Sequence, residues 1–497
     1  MQPGITLRLF RWLSHPGSNL SQRALHATVW TLGTKGFEHI LSYIRIIVLA
    51  RLLEPVDFGV VGIGLVAIAA LETITLPGFQ EALVQKKGDV ERHLDTVWTL
   101  TILRTSAIAA ILVLAAPLVA TFFKSPDATP VLQALAGAEF LRGLVNPGIL
   151  YFQKDLEFHK KSINDTAQAV VEIVAAITAA VILQSVWALV IGVLAGRMTQ
   201  VLVSYWSHPY RPRFTIKKEA AQDLFSFGRW VYLTRLVTFA STQTDSIILG
   251  RLLGPVTLGF YQMAQRSATV PLMEIHRSIT AVAFPLYSRV QDDTERLKKG
   301  FLRGVEAVSS LTFPLATTLY ILAPEFVRML LGEKWLPAAP VIQVLAIAAA
   351  LHSVAAAAGG SLFMGASRPW LTFQMNGLRA LAVVAMVFPL TMLFGLVGAA
   401  YAVLIASSLT FLFHIYHSFN ILELRVADYV KALWPALGAV TAIGLVLFGV
   451  KQFAGPINFP GFVLVLTLVL LTYAGFFFLL WWKFKVGLLA SIRQMAR

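Results

Sequence analysis

Apolar runs of about 20 residues recur along this chain from one end to the other, each long enough to cross a bilayer as a helix. Fourteen such stretches stand out, at about 28–50, 56–78, 97–120, 130–150, 163–183, 186–206, 226–249, 257–283, 303–323, 339–363, 371–394, 397–418, 430–450 and 461–482. Hydrocarbon offers backbone polar groups no partner, so only helices and closed barrels span it. A barrel would show apolar–polar alternation, which these runs lack. The expected fold is an all-α integral membrane protein with about 14 transmembrane helices. Only 13% of the 497 residues are charged, where a soluble domain carries about 25%. The stretches between the runs are too short for a separate soluble domain.

The chain also uses one sequence twice. Ile47-Val-Leu-Ala-Arg-Leu-Leu-Glu-Pro-Val-Asp-Phe-Gly59 returns 200 residues later as Ile247-Ile-Leu-Gly-Arg-Leu-Leu-Gly-Pro-Val-Thr-Leu-Gly259. Further along, Ala116-Pro117 resembles Ala323-Pro324, and Val131-Leu-Gln-Ala-Leu135 resembles Val341-Ile-Gln-Val-Leu345. The growing offset, 200 then 207 then 210, is what small loop insertions produce. Each half then holds six spans, an even number, so both point the same way across the membrane. Such a parallel repeat marks an alternating-access transporter with its site between the halves. The expected organisation is an N-lobe over 1–210, a C-lobe over 211–425 and two extra C-terminal helices over 426–497. Those last two spans carry no interior charge, which suits packing against lipid or a lipid tail.

Lysine and arginine set the orientation. One set of loops holds 25 of them and the alternate set six. Both termini are therefore expected in the cytoplasm, with the chain multi-pass in the inner (cytoplasmic) membrane. The same asymmetry accounts for most of the net charge of +15. No compact basic domain exists to hold a duplex, so no nucleic-acid partner is expected. Residues 7–13, with Arg8 and Arg11 among leucines and aromatics before Pro16-Gly17, read as a short interfacial helix and not as a cleaved signal.

Ten cations remain inside spans: Lys35, Arg45, Arg104, Arg142, Arg197, Arg229, Arg235, Arg266, Arg277 and Arg379. An intramembrane charge is expensive unless it faces a cavity or a partner. Arg104, Arg197, Arg229 and Arg277 read as side chains that snorkel from span ends. Arg142 with Glu139, three apart, reads equally well as an internal pair or a functional one.

The first span carries a stripe. At about 100° per residue, Thr28, Thr31, Lys35, Glu38, His39, Ser42 and Arg45 share an arc of about 120°. The seventh span repeats it with Arg235, Thr238, Ser241, Thr242 and Asp245. At the repeat offset Lys35 aligns with Arg235, Ser42 with Thr242 and Arg45 with Asp245. Two stripes at equivalent places are expected to face each other across a water-filled cleft. The substrate-binding set is thus Lys35, Glu38, His39, Ser42, Arg45, Arg235, Thr238 and Thr242, with Asp245 and Glu38 as candidates for ion coupling. The plainer alternative is that these charges pair internally, Lys35 with Glu38, Glu38 with Arg45, and Asp245 with Arg235 or Lys35. A cleft that is cationic on balance suits an anionic, phosphate-bearing headgroup.

Chemistry-bearing motifs are missing. The chain has no cysteine, no P-loop and no Gly-x-Ser-x-Gly elbow. His414 and His417 have no carboxylate nearby in sequence and read as an interfacial helix end. Gly359-Gly360 in an alanine-rich span reads as a close-packing or kink site. No metal, cofactor or catalytic residue is expected, and the chain is not expected to be an enzyme.

Several segments carry a resemblance. Ala50-Arg-Leu-Leu-Glu-Pro-Val-Asp-Phe-Gly59 followed by Ala82-Leu-Val-Gln85 resembles the opening of polysaccharide repeat-unit flippases of the Wzx type. So does Tyr151-Phe-Gln-Lys-Asp-Leu-Glu-Phe158. Leu331-Gly-Glu-Lys-Trp335, running into Pro340-Val-Ile-Gln343, and Met364-Gly-Ala-Ser-Arg-Pro369 are similar to their segments before and after span ten. The resemblance covers roughly residues 25–425, and the length is similar to the branch with colanic-acid-type exporters. It implies a member of the multidrug/oligosaccharidyl-lipid/polysaccharide exporter superfamily. Such proteins move an undecaprenyl-diphosphate-linked oligosaccharide from the inner to the outer leaflet for exopolysaccharide, O-antigen, capsule or lipopolysaccharide assembly. The implied partners are that lipid-linked oligosaccharide, membrane lipids and the polysaccharide polymerase and export machinery. The family supplies no catalytic set, so the site residues rest on the stripes.

Three rivals remain. A cation-coupled drug or metabolite antiporter of the same superfamily requires an essential acid, Glu38 or Asp245. A membrane polymerase or glycosyltransferase needs a sizeable external catalytic loop; the longest here, about 324–338, holds Glu325 and Glu333 but reads as an amphipathic helix. A non-transporting scaffold does not call for paired polar stripes.

Overall fold

The computed structural model describes residues 20–75, 91–154, 157–216, 218–453 and 458–484. The expected interfacial helix near the N-terminus and the Ala82–Gln85 segment lie outside these residues. Among the described residues every regular element is helical. The chain divides into two compact units, Met1–Leu236 and Val237–Arg497.

In order, the helices are α1 (Leu20–Leu52), α2 (Pro55–Ile74), α3 (Glu91–Phe122), α4 (Ala128–Gly143), the short α5 (Ile149–Lys154), α6 (Phe158–Leu183), α7 (Trp187–Ser207) and α8 (Lys218–Arg289). Then come α9 (Thr294–Phe326), α10 (Ala339–Val354), the short α11 (Ser361–Gly365), α12 (Pro369–Leu422), α13 (Val426–Phe453) and α14 (Phe459–Phe484). Ten helical stretches among the described residues are long and apolar enough to cross a membrane. The longest two run to 58 and 54 residues. At about 1.5 Å per residue each exceeds twice the thickness of a bilayer core. Each is also broken once, α8 at Gly254 and α12 at Gly395. Helix α1 and helix α4 occupy the first and fourth of the expected apolar stretches. The fold is that of a multi-pass, all-helical membrane protein.

The duplicated sequence encodes a turn. In its first copy Leu53-Glu54 separates α1 from α2, and Pro55 opens α2 at the position where a missing N–H is harmless. In its second copy Gly254 breaks α8 and Pro255 opens the next segment. The later correspondences hold as well. Val131, Leu132 and Leu135 on α4 are buried, as are Val341, Ile342 and Leu345 on α10. Gln184 turns α6 into α7 with a left-handed backbone, and Gly395 turns the first part of α12 into the second.

Within the first unit α6 packs along α7 and α1, and α4 lies against α3, α7 and α2. The stretch expected over 130–150 ends early, at Gly143. The reason is Asn146-Pro147-Gly148. Proline cannot continue the helix, and the Asn146 side chain accepts the Gly148 N–H at 2.9 Å while donating to the Tyr210 carbonyl at 2.8 Å.

In the second unit α9 packs against α10 and α13, α10 against α12, and α13 against α14. One cluster joins Tyr287, Phe301, Val305, Phe363, Met375 and Tyr429. Another docks the last two helices on α9 through Leu322, Ile443, Leu447, Phe462, Val465 and Val469. Leu464, Leu470 and Leu471 on α14 are left exposed, an apolar face suited to lipid. Lys451 pins the far end of α13 by donating to the Ile321 carbonyl at 2.6 Å and pairing with Glu325 at 3.1 Å.

Two expectations need correction. Residues 324–338 do not form an amphipathic helix: α9 gives way to a π turn over Val327–Leu331 and a 3-10 turn over Glu333–Ala338. Gly332, at φ 104°, separates the two turns, and Trp335 is fully buried edge-on to Phe260. His414 is not at an interface but fully buried, 3.2 Å from both Tyr429 Oη and Ser418 Oγ. A β-carbon on Gly359 would collide with its ring, so the alanine-rich span, π-helical over Ala355–Gly360, is a close-packing site.

Candidate functional site

Helix α1 carries the first polar stripe, and its partner is α6. Lys35 Nζ lies 2.6 Å from Glu38 Oε2 and 3.9 Å from Asp165 Oδ2. Thr34 Oγ1 and Ser162 Oγ are 3.0 Å apart. Two turns further on, Arg45 forms an ion pair with Glu172. Ser162, Asp165 and Glu172 recur at helical spacing, so α6 presents a stripe of its own to α1. Part of the plainer alternative thus holds: Lys35 pairs with Glu38. Arg45, however, takes a carboxylate from α6.

Exposure separates the two ties. Lys35 is 49% exposed and its head can leave Glu38 for a ligand; Arg45 and Glu172 are 23% and 19% exposed. A solvated pair contributes about 0–1 kcal/mol, whereas a partly buried one leaves an unpaired charge if either member is removed. His39 and Ser42 sit between these pairs, half-buried on the same helix. The side chains of Thr28 and Thr31 lie outside the described residues.

A second charged cluster builds on the first. Arg142 on α4 pairs with Glu72 on α2 and, at 2.7 Å, with Glu139. Arg104 on α3 donates to Thr75 Oγ1 at 3.2 Å and stands within electrostatic reach of Arg142, Glu72 and Arg235. Arg197 on α7 donates to Gln200 at 3.0 Å, within reach of Arg142, Glu139 and Glu172. Arg104 and Arg197, read from the sequence as snorkelling side chains, thus have polar partners and stand within reach of the same charged network. That network holds Arg45, Arg104, Arg142, Arg197 and Arg235 against Glu72, Glu139 and Glu172. Its guanidinium groups, each a fork of donors, equip it for an anion.

The second stripe divides differently. Thr238 and Thr242 are exposed, and Thr242 donates to the Thr238 carbonyl at 2.8 Å. Ser241 is buried and donates to the same carbonyl at 2.9 Å. Asp245 is buried, and its partners come from its own unit: Tyr261 Oη at 2.6 Å, Gln265 Nε2 at 3.0 Å and the Ser246 N–H at 2.7 Å. Among the described residues no group of three or more His, Asp or Glu side chains is placed to hold a metal ion.

Sequence reasoning missed Ser162, Asp165, Glu172 and Glu72. A signal was present: Ser162, Asp165 and Glu172 recur at helical spacing along the more polar N-terminal part of one helix, and a lone glutamate stands inside another span. The intramembrane charges weighed in the sequence were lysines and arginines, so acids on spans without them went unread.

Comparison with known proteins agrees with this architecture. The chain is 26% identical over 423 residues to the lipopolysaccharide biosynthesis protein WzxC of Escherichia coli (strain K12), covering 82% of this chain and 85% of that protein. It is 26% identical over 378 residues to the teichuronic acid biosynthesis protein TuaB of Bacillus subtilis (strain 168), covering 75% and 78%. Among solved structures, the lipid II flippase MurJ in an inward closed conformation matches with a TM-score of 0.72 at 14% identity, over 95% of this chain and all of that one. At such identity the likeness is one of fold. Residues 48–340, more than half of the chain, match the family described as polysaccharide biosynthesis protein. The resemblance carried by Ala50–Gly59 and Leu331–Gln343 is borne out, and the chain belongs to the polysaccharide biosynthesis protein family.

Proposed function

We propose that this protein is a flippase that carries a polyprenyl-diphosphate-linked oligosaccharide across the cytoplasmic membrane, by alternating access of two six-helix lobes with both termini in the cytoplasm. The observation that carries this reading is the charged interior of the first unit in a chain of the polysaccharide biosynthesis family: Lys35 and Arg45 on α1, with Arg235 within electrostatic reach of Arg104. Relatives named for lipopolysaccharide and teichuronic acid biosynthesis, and a fold shared with a lipid II flippase, support the same class of cargo.

Lys35, Arg45 and Arg235 hold the diphosphate, while Glu38, His39, Ser42, Thr238 and Thr242 offer hydrogen bonds to the first sugars. A sugar diphosphate in bare hydrocarbon is prohibitively unstable; a polar path removes most of that barrier. The polyprenyl tail stays in lipid along the exposed leucines of α14. Translocation breaks no covalent bond, so the protein acts as a transporter and hands its cargo to the polymerase and export machinery.

Leaflet transfer of a labelled polyprenyl-diphosphate oligosaccharide in proteoliposomes tests this. Lys35→Ala and Arg235→Ala, if folded, should each slow transfer about tenfold, the loss of one charge-assisted hydrogen bond. Wild-type transfer that neither substitution alters would remove these residues from the site. No wild-type transfer at all would reject the flippase.

A further inference from the structure

Asp245 is one of the two acidic residues from which ion coupling is expected, and its surroundings are unlike those of a cation site. Three groups address the carboxylate, and all three donate. Tyr261 O–H and the Gln265 amide reach Oδ2 at 2.6 and 3.0 Å, and the Ser246 N–H reaches Oδ1 at 2.7 Å. A bound sodium or potassium ion needs converging oxygen acceptors. A carboxylate ringed by donors has the complement of an anion whose positive partner is already supplied.

The candidate for that partner is Arg379. It lies on the first part of α12, within electrostatic reach of both Asp245 and Tyr261, and donates to Ser407 Oγ at 3.1 Å on the second part. The first unit shows the same design with the charges exchanged. Arg45 stands nine residues before Glu54, where α1 ends, and Asp245 nine residues before Gly254, where the first part of α8 ends. Arg45 pairs with Glu172 on α6. Glu172 precedes its turn at Gln184 by twelve residues, and Arg379 precedes its turn at Gly395 by sixteen, one helical turn apart on the same face. Each half thus places opposite charges on its first and fifth helices, cation on the first and acid on the fifth in one unit and the reverse in the other; the first unit's pair touches, and the second unit's stands within electrostatic reach.

We infer that Arg379 is a positioning residue, the tethered countercharge of Asp245, and that the second unit therefore takes no mobile sodium or potassium ion at this carboxylate. The inference concerns the resting protein and does not depend on which cargo is moved.

Thermal unfolding of the purified full-length protein tests it, in sodium chloride against choline chloride at equal ionic strength. Wild type and Arg379→Lys should melt at the same temperature in both salts. Arg379→Gln should melt several degrees lower in both salts and regain part of the loss when guanidinium chloride is added at low concentration, because a free guanidinium fills the vacated place. Asp245→Asn combined with Arg379→Gln should lose the guanidinium response. If Arg379→Gln does not fold, the double variant should fold, since the unpaired carboxylate has been removed. Sodium stabilising wild type but not Asp245→Asn would overturn the inference. So would an Arg379→Gln protein indifferent to guanidinium, or a double variant that fails wherever Arg379→Gln fails. None of these readouts requires transport, so a failure of the flippase reading stays separate.

Discussion

Where α1 gives way to α2, Glu54 keeps an ordinary extended backbone (φ −85°, ψ 156°), and Asp57 Oδ2 accepts its N–H at 2.9 Å. At the equivalent turn of the second unit, Gly254 stands at φ 83°, ψ 179°. The later pair differs likewise. Gln184 turns α6 into α7 at φ 47°, ψ 42°, whereas Gly395 breaks α12 at φ 58°, ψ −135°. The first unit spends a few residues on each turn and tolerates side chains there. The second makes each turn at a single residue, in a region of backbone space that is nearly closed to anything but glycine. Two copies of one design have kept the place of the turn and changed how the backbone makes it.

The largest expected effects come from forcing a side chain onto the second unit's turns. No atom would meet a β-carbon at Gly254 or Gly395 within 4 Å, so the cost of alanine there is backbone strain alone. Gly254→Ala and Gly395→Ala should each destabilise by about 1–3 kcal/mol. Glu54→Ala, at the matching place of the first unit, should cost about 1 kcal/mol or less. Ranked melting temperatures of the three variants in one detergent decide this; a Gly254→Ala protein as stable as Glu54→Ala would break the comparison.

The ionic ties offer a second contrast. In the first unit Arg45 and Glu172 touch directly, and both are largely shielded. Glu172→Gln leaves the Arg45 guanidinium without its countercharge and should cost about 1–2 kcal/mol, below the full value for a deeply buried pair. Arg45→Met with Glu172→Leu removes both charges and should cost less than Glu172→Gln alone. A double-mutant cycle reads the coupling directly; additive effects would show that the pair contributes nothing as a pair.

The helical fold, the position of the repeat and the family were legible in the sequence because each rests on local pattern. Twenty apolar residues mean a crossing whatever surrounds them, and Glu-Pro or Gly-Pro at a fixed offset means a turn. The α1 stripe was legible for the same reason. What it meets was not. Glu172 reaches Arg45 across 127 residues of chain, and no periodicity within α1 encodes that distance. Asp245 shows the limit most sharply: its register against Arg45 was readable, but its partners Tyr261 and Gln265 follow from the fold-back after Gly254. His414 was misread because a histidine near a helix end looks interfacial until α13 arrives with Tyr429 to cover it.

The smallest expected effect sharpens the comparison from the other side. Gln184 holds a left-handed backbone that a glycine adopts without penalty. Gln184→Gly would relieve about 1 kcal/mol of that strain and lose a similar, slightly smaller amount through the freer unfolded chain. A net gain of a few tenths of a kcal/mol follows, a fraction of a degree to a degree or two in melting temperature. The sign matters more than the size. If Gln184→Gly stabilises while Gly395→Ala destabilises, the two turns differ only in which residue their backbones accept. A clear loss in Gln184→Gly would mean that the glutamine side chain itself holds the first unit's turn, and the two halves would then differ in packing as well as in backbone.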